Sequence, residues 1–320
     1  VNALAAVGCT GSITFLILGF VQGLTSGLSI ITSQKFGANN EDAVRKSFAA
    51  SILISSAVAI ITTVFSVLLT RPLLELLQTP AEIIDDATAY LVIIFLGIPA
   101  TILFNLLSNA VRALGDSKTP LYFLIFACCV NIVLDLVFIL YLHLGVAGAG
   151  IATILSQLLS GILCIFFIIK KVPILRLKKA DFQIHYEVIA SHLSIALPMA
   201  FQMSIIAIGS LMLQFALNGL GAASVAAYTA SQKIESIATM PLGSFGTAMA
   251  TYAAQNYGAG KISRIRKGVF QCILMSGSFS ILSGAINVVA GSQLTSIFVG
   301  SQETEVLSLS HTYLVISGCF

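Results

Sequence analysis

Long apolar stretches alternate with short polar ones along the whole chain. Nine of them stand out, at roughly 11–34, 47–70, 88–112, 119–142, 147–169, 191–217, 225–254, 268–291 and 305–320. Each is near the length of about 20 apolar residues that carries an α-helix across a hydrocarbon core about 30 Å thick. Lipid admits only helices or closed barrels, and these runs are too long and too continuously apolar for barrel strands of about ten residues. The pattern predicts an all-α integral membrane protein.

Composition agrees: 57% of the 320 residues are hydrophobic and 9% are charged. Soluble domains run to about 45–50% and about 25%. Mean hydropathy is +0.99. An ordinary cytosolic enzyme, a nucleic-acid binder and a disordered chain are excluded, and the net charge of +3 implies no phosphate-tracking surface. The six cysteines (Cys9, Cys128, Cys129, Cys164, Cys272 and Cys319) lie mostly in apolar stretches without C-x-x-C spacing. They read as small hydrophobes in helix contacts. No secretory leader opens the sequence, and both ends read as cut within apolar runs.

Charge gives orientation. Fourteen of the 16 basic residues fall in alternate loops, around Lys35 to Lys46, Arg112 to Lys118, Lys170 to Lys179 and Lys261 to Lys267. The opposite loops hold Arg71 with Glu75, Glu82, Asp85, Asp86, Glu303 and Glu305. The positive-inside rule places the basic side in the cytoplasm.

An internal repeat organises the whole. Gln34-Lys35-Phe36-Gly37-Ala38 returns as Gln255-Asn256-Tyr257-Gly258-Ala259, an offset of 221; Ala5-Ala6 matches Ala226-Ala227, and Arg45-Lys46 matches Arg266-Lys267. With two further residues, Tyr90-Leu91-Val92-Ile93 returns as Tyr313-Leu314-Val315-Ile316. Six stretches separate the matched loops, so the repeat is parallel, an arrangement found in transporters. The expectation is a twelve-helix bundle of two parallel six-helix repeats, with about nine helices present, one missing before Val1 and about two after Phe320. The lobes are expected at 1–170 and 191–320, joined by a basic, solvated cytoplasmic linker at 171–190 with some interfacial packing.

An ionisable group inside a span costs about 2.5–3.5 kcal/mol on insertion scales and commonly faces a functional cavity. Three stand out: Asp135, Lys233 and Glu235. Asn131 and Asp135, four apart, share one helix face and offer hard oxygen ligands for Na⁺ or a carboxylate that can hold a proton. A buried Asp tying two helices by hydrogen bonds is the structural alternative. Lys233 and Glu235, two apart, cannot pair with each other; a polar substrate or ion site competes with an interhelical salt bridge. Gln232, Glu235 and Thr239 share one face, Thr229 and Lys233 another.

Weaker signals read as structure. Gly19, Gly23 and Gly27 recur every four residues and permit close helix approach. Pro99, Pro198 and Pro241 lie within spans and can bend them. His143 and His311 lack metal-ligand spacing. Gly145-x-x-Gly148-x-Gly150 is no nucleotide loop, and P-loop, H-E-x-x-H and G-x-S-x-G motifs are missing from the sequence. An enzyme is therefore not expected, and an ion gradient must supply the energy for transport.

Several runs together are similar to the bacterial multidrug and toxic compound extrusion (MATE) family. They are Leu4 to Gly8, Gly19-Phe20-Val21-Gln22-Gly23, Ser33 to Ala38, Arg112 to Pro120, Asn131-x-x-Leu134-Asp135, Gly145-Val146-x-Gly148-Ala149-Gly150 and Ala196-Leu197-Pro198. The resemblance covers the whole chain. It implies a monomeric, multi-pass antiporter of the inner (plasma) membrane that exports drugs or organic cations against Na⁺ or H⁺, by alternating access and without a cofactor, and that binds no nucleic acid. It places a cation site on Asn131, Asp135 and Thr153, with possible Na⁺ at Asp135 and no other metal. Tyr90, Asn105 and Asn109 become cavity-lining candidates. Some members carry an acid after the proline of the seventh helix; here that helix holds Gln202, which cannot carry a proton, so coupling shifts to Asp135 or Glu235. Gln202, Lys233 and Glu235 complete the substrate-site candidates. The rival reading is a flippase or exporter of lipids or lipid-linked oligosaccharides, related in fold.

Overall fold

The computed structural model describes residues 2–77, 79–80, 82–218, 222–299 and 304–319. Glu303 lies outside the described residues, as do the side chains of Leu4 to Cys9, Glu305 and Cys319. Ten α-helices follow in order: α1 (Asn2–Gly37), α2 (Glu41–Leu76), α3 (Ile84–Leu96), α4 (Ile98–Ala113), α5 (Lys118–Leu136), α6 (Gly145–Lys171), α7 (Tyr186–Asn218), α8 (Ala222–Gly258), α9 (Ile262–Val299) and α10 (Thr304–Cys319). No strand occurs among the described residues. Among the described residues each of the nine apolar stretches falls on helix, save Leu142 at the end of one, and 88–112 is two helices meeting at a 42° bend. Pro99 opens α4 just past that bend, whereas Pro198 and Pro241 sit inside unbroken helices.

Among the described residues, six helices and the bent α3–α4 pair are long and apolar enough to cross a membrane. Although 37 residues long, α8 is too rich in Ser, Thr, Gln and charge to qualify on composition, and the apolar part of α10 is short.

Packing divides the chain into two units, Val1–Ile208 and Gly209–Phe320. The divide falls inside α7, whose first part belongs with α1. There the glycine spacing does what the sequence predicts. A Cβ on Gly23 would collide with the Met199 carbonyl, and one on Gly27 would lie 2.5 Å from the Ala196 Cα. Only glycine lets these two backbones come so close, and Leu24, Leu28, Ala196 and Ala200 are buried around the contact. Gly27→Leu is expected to lower stability by about 1–3 kcal/mol through overpacking. Gly11→Ala, with nothing within 4 Å of the added methyl, should leave it level or slightly higher. Thermal unfolding in detergent measures both.

A buried hydroxyl–imidazole chain fastens the same corner. The Nδ1–H of His192, which is fully buried, donates to the Val188 carbonyl at 2.7 Å. Its Nε2 therefore accepts from Ser47 Oγ at 2.8 Å, and Ser47 in turn meets Thr32 Oγ1 at 3.0 Å. One polar chain thus joins α7, α2 and α1.

Local chemistry sets the turns on the basic side. Asn40 caps α2 by accepting from the Ala43 N–H at 3.0 Å, and Glu41 and Asp42 complement the positive helix start. Gly115, at φ 92, ends α4 in a conformation side-chain-bearing residues avoid. Asp116 then accepts from the Lys118 and Thr119 N–H groups at 3.0 Å and from the Thr119 hydroxyl at 2.6 Å, so it caps α5. Partial burial works to raise this carboxyl, but the Thr119 and Lys118 hydrogen bonds outweigh it and hold it below the usual range. A depressed folded-state value means the cap contributes fully at neutral pH and fades as pH falls below about 4. Asp116→Ala should cost about 1 kcal/mol at pH 7, and the gap to wild type should close in acid. Unfolding measured across pH checks the sign.

The segment after α6 packs onto the first unit through Leu175. Leu175, 1% exposed, plugs into a core with Val44, Phe48, Leu107, Val111, Cys164 and Ile168. Asp181, also buried, accepts from the Lys178 N–H at 2.7 Å and faces Arg45 at 3.7 Å. The basic side chains at 170, 171, 176, 178 and 179 are exposed.

In the second unit, α8, α9 and α10 pack on one another. Ser310 Oγ meets Ser231 of α8 and Thr295 of α9, a buried knot of three hydroxyls. Gly284 and Gly318 let α9 and α10 touch backbone to backbone.

Candidate ion and substrate sites

In the first unit, Asp135 stands on α5 just before a π-helical turn, Val137–Tyr141. Such turns widen the helix and recur at functional sites. Antiparallel packing of α5 on α6 is pinned at two places. Ser160 donates to the Phe123 carbonyl at 3.3 Å, and Gly148 packs beneath Phe138. Between these pins, Asn131 falls level with Thr153, and Asp135 level with Gly150. Tyr90 of α3 joins them: its ring packs on Gly150, and its phenol lies within electrostatic range of Asp135.

The polar atoms here are incompletely paired. Asp135 Oδ1, Asn131 Nδ2 and Gln157 Oε1 are buried, and none has a hydrogen-bond partner. Thr153 donates to the Ala149 carbonyl at 3.0 Å, which leaves its oxygen free to accept or ligate. A buried carboxylate oxygen without a donor is costly unless a cation or a proton joins it. Asp135, Thr153 and the Asn131 amide, which can turn its oxygen inward, offer hard oxygen donors from two helices, and Gln157 adds an amide one turn beyond Thr153. Gln157 escaped the sequence reading, which ranked only charged groups in spans. It lies four residues beyond Thr153 on the same face of α6, and that spacing was the available signal.

The other first-unit candidates are placed differently. Asn105 is half-buried on α4 and Gln202 is exposed on α7. Asn109 is buried, with both ends of its amide engaged: Arg112 donates to its Oδ1 at 2.9 Å, and its Nδ2 meets Ser26 Oγ at 3.5 Å. It ties α4 to α1.

The second unit has its own acid. Glu235 on α8 accepts from the Tyr313 hydroxyl and the Ser317 hydroxyl, each at 2.8 Å and both from α10. Tyr228 stands edge-on to Tyr313 at 5.5 Å between ring centres and accepts from Gln232 Nε2 at 3.1 Å. The Thr239 hydroxyl is spent on the Glu235 backbone carbonyl. Lys233, two residues before Glu235, lies on nearly the opposite face of α8 and is exposed. Tyr313 and Ser317 were not among the expected site residues. The repeat itself was the signal, because it pairs Tyr313 with Tyr90.

A tyrosine at matching repeat positions thus accompanies an acid in each unit, hydrogen-bonded in the second and within electrostatic range in the first, and the acids come from different helices. At the repeat offset, the position matching Glu235 is Thr14, whose Oγ1 is buried without a partner.

Comparison with known proteins places this architecture. The chain is 34% identical over 268 residues to the probable multidrug resistance protein YpnP of Bacillus subtilis (strain 168), covering 82% of this chain and 59% of that protein. It is 28% identical over 328 residues to the probable multidrug resistance protein YoeA of the same organism, covering 99% and 70%. A solved outward-facing structure of a multidrug resistance MATE family transporter of the MOP superfamily superposes with a TM-score of 0.92 at 20% identity, over 98% of this chain and 70% of that one. That likeness establishes the fold. The MatE family profile matches residues 1–137 and 198–320, and the chain belongs to the MatE family.

Proposed function

We propose that this chain forms the greater part of a secondary antiporter that exports drugs or organic cations in exchange for Na⁺ or H⁺. The observation carrying this reading is the set of buried, unpartnered oxygen and nitrogen atoms at Asp135, Asn131 and Gln157, beside Thr153 and Tyr90. Na⁺ or a proton at Asp135 draws the α5 and α6 ligands together. The α3–α4 break lies against this same stretch of α6, because Gly97 packs on Ile154, next to Thr153. Ion binding thus acts on a bent helix pair, and an ion that binds one bend better than the other shifts their populations. Drug binding favours the opposite arrangement.

Lobes at 1–170 and 191–320 with a linker at 171–190, basic loops on the cytoplasmic side of the inner membrane, and a monomeric transporter complete the proposal. Tyr90 and Asn105 serve the cavity of the first lobe, with Gln202 at its edge. Lys233 and Glu235 serve the second lobe, and Asn109 holds α4 to α1.

The test is efflux of a fluorescent cationic dye from vesicles carrying the whole transporter, under an imposed Na⁺ gradient and, separately, a pH gradient. Export driven by one gradient supports the reading and names the ion. Folded protein that moves dye under neither gradient overturns it.

A further inference from the structure

The first unit holds a concavity whose lining includes none of Asp135, Asn131, Thr153 or Gln157. It is a cavity of about 690 Å³ between α2, α4, α6 and the linker turn Pro173–Leu175. Ile52, Ser55, Ile60, Pro99, Leu103 and Ile169 represent its walls, which are almost wholly apolar, and Arg176 stands at one end.

Its shape follows the membrane. The α2 wall runs from Phe48 to Ile60, about 18 Å at 1.5 Å per residue. One leaflet contributes about 15 Å of hydrocarbon. The groove therefore runs from the interface, where Arg176 stands, to mid-bilayer, where Pro99 marks the helix bend. Its volume also suits one bound organic molecule rather than bulk solvent.

Charge chooses among the molecules that fit. Arg176 is exposed and spends one donor on the Lys170 carbonyl at 3.3 Å, leaving others of its guanidinium fork for an anion. Burial of Leu175 beside it fixes the backbone, so the guanidinium is mounted on the protein core rather than on a loose loop. Exposed Lys170, Lys171, Lys178 and Lys179 surround it in sequence. An organic cation is repelled by this mouth, and a neutral lipid gains nothing from it.

We propose that this groove holds one acyl chain of an anionic phospholipid from the leaflet on the basic side, with its phosphate at Arg176. Lipid tails are as apolar as the groove, so a tail gains little by leaving the bulk bilayer. Selectivity therefore rests on the phosphate and its net charge. One basic residue near a membrane surface is worth about a fivefold preference for anionic lipid. Because the walls include both α4 and the bend at its start, an occupied groove braces the helix pair that the ion site acts upon.

The chain contains no tryptophan, so a single introduced one reports without background. Ser56→Trp places it in the groove, and Leu53→Trp places it on the exposed face of α2 at similar depth. The protein is reconstituted in vesicles in which brominated-chain phosphatidylglycerol or brominated-chain phosphatidylcholine is raised stepwise. Quenching at position 56 should reach half-maximum at about fivefold lower mole fraction of the anionic lipid. Position 53 should show no such preference, and Arg176→Gln should bring position 56 to parity. If Ser56→Trp fails to fold, Ile60→Trp at the far end of the groove gives the same readout. Equal quenching by both lipids in the groove, an equal preference at position 53, or a preference that survives Arg176→Gln overturns the proposal.

Discussion

Asp135→Asn is expected to reduce gradient-driven dye export about a hundredfold or more, to the background of empty vesicles, while the protein remains folded. The substitution keeps the shape of the side chain and removes its charge and its capacity to hold a proton. Coupling depends on an ion binding one arrangement of the helices more tightly than another, and a ligand that binds both equally shifts nothing. With Asn at 135 the remaining donors are neutral amides and hydroxyls, so the discrimination that drives exchange is lost. Stability should not fall, because the change replaces a buried carboxylate oxygen that has no donor with a group far cheaper to bury. Melting temperature and efflux measured on one preparation separate the two effects. Wild-type export by a folded Asp135→Asn protein would remove Asp135 from the mechanism. A parallel loss of export and of folding would make it a structural Asp instead.

The fold was largely legible because the signals that define it are local. Apolar length predicted where helices lie, and four-residue glycine spacing predicted that some helix packs closely on α1, though not that it is α7. The break at Gly97 was not legible from hydropathy, since Gly97-Ile98-Pro99 sits inside an uninterrupted apolar run; Pro99 alone hinted at it. Nor was the full burial of Leu175 legible, because it stands among basic residues whose pattern says solvent. At the candidate sites, Asp135 was visible as a charge in a hydrophobic run and Asn131 through its spacing. Gln157 was invisible by the same test because it is neutral. The partners of Glu235 lie 78 and 82 residues away, and no local pattern reports which helix a side chain meets. Only the repeat reaches that far, and it had already set Tyr313 opposite Tyr90.

Glu235→Ala should lower stability by about 3 kcal/mol, and Glu235→Gln by no more than about 1 kcal/mol. Glu235 accepts two short bonds, from Tyr313 and Ser317, and a hydrogen bond to a charged group contributes about 1.5–3 kcal/mol. Alanine removes both acceptors and leaves two partly buried hydroxyls unmet. Glutamine keeps an acceptor for one hydroxyl and offers its amide N–H to the oxygen of the other, since a hydroxyl can also accept. Tyr313→Phe and Ser317→Ala each break one bond, and a double-mutant cycle with Glu235→Gln apportions them. The Gln variant then divides the two roles of the acid. If Glu235 only staples α8 to α10, Glu235→Gln exports dye at the wild-type rate while Glu235→Ala fails through instability. If Glu235 carries charge through the cycle, Glu235→Gln is stable and transport falls at least tenfold. The second outcome is expected, because the tyrosine matched by the repeat feels an acid in both units, by hydrogen bond at Tyr313 and by electrostatics at Tyr90, although different helices supply the acids. A staple could be built from any polar pair. A tyrosine bonded to a carboxylate in the second unit, and one within electrostatic range of a carboxylate in the first, points to the pair itself as the working part.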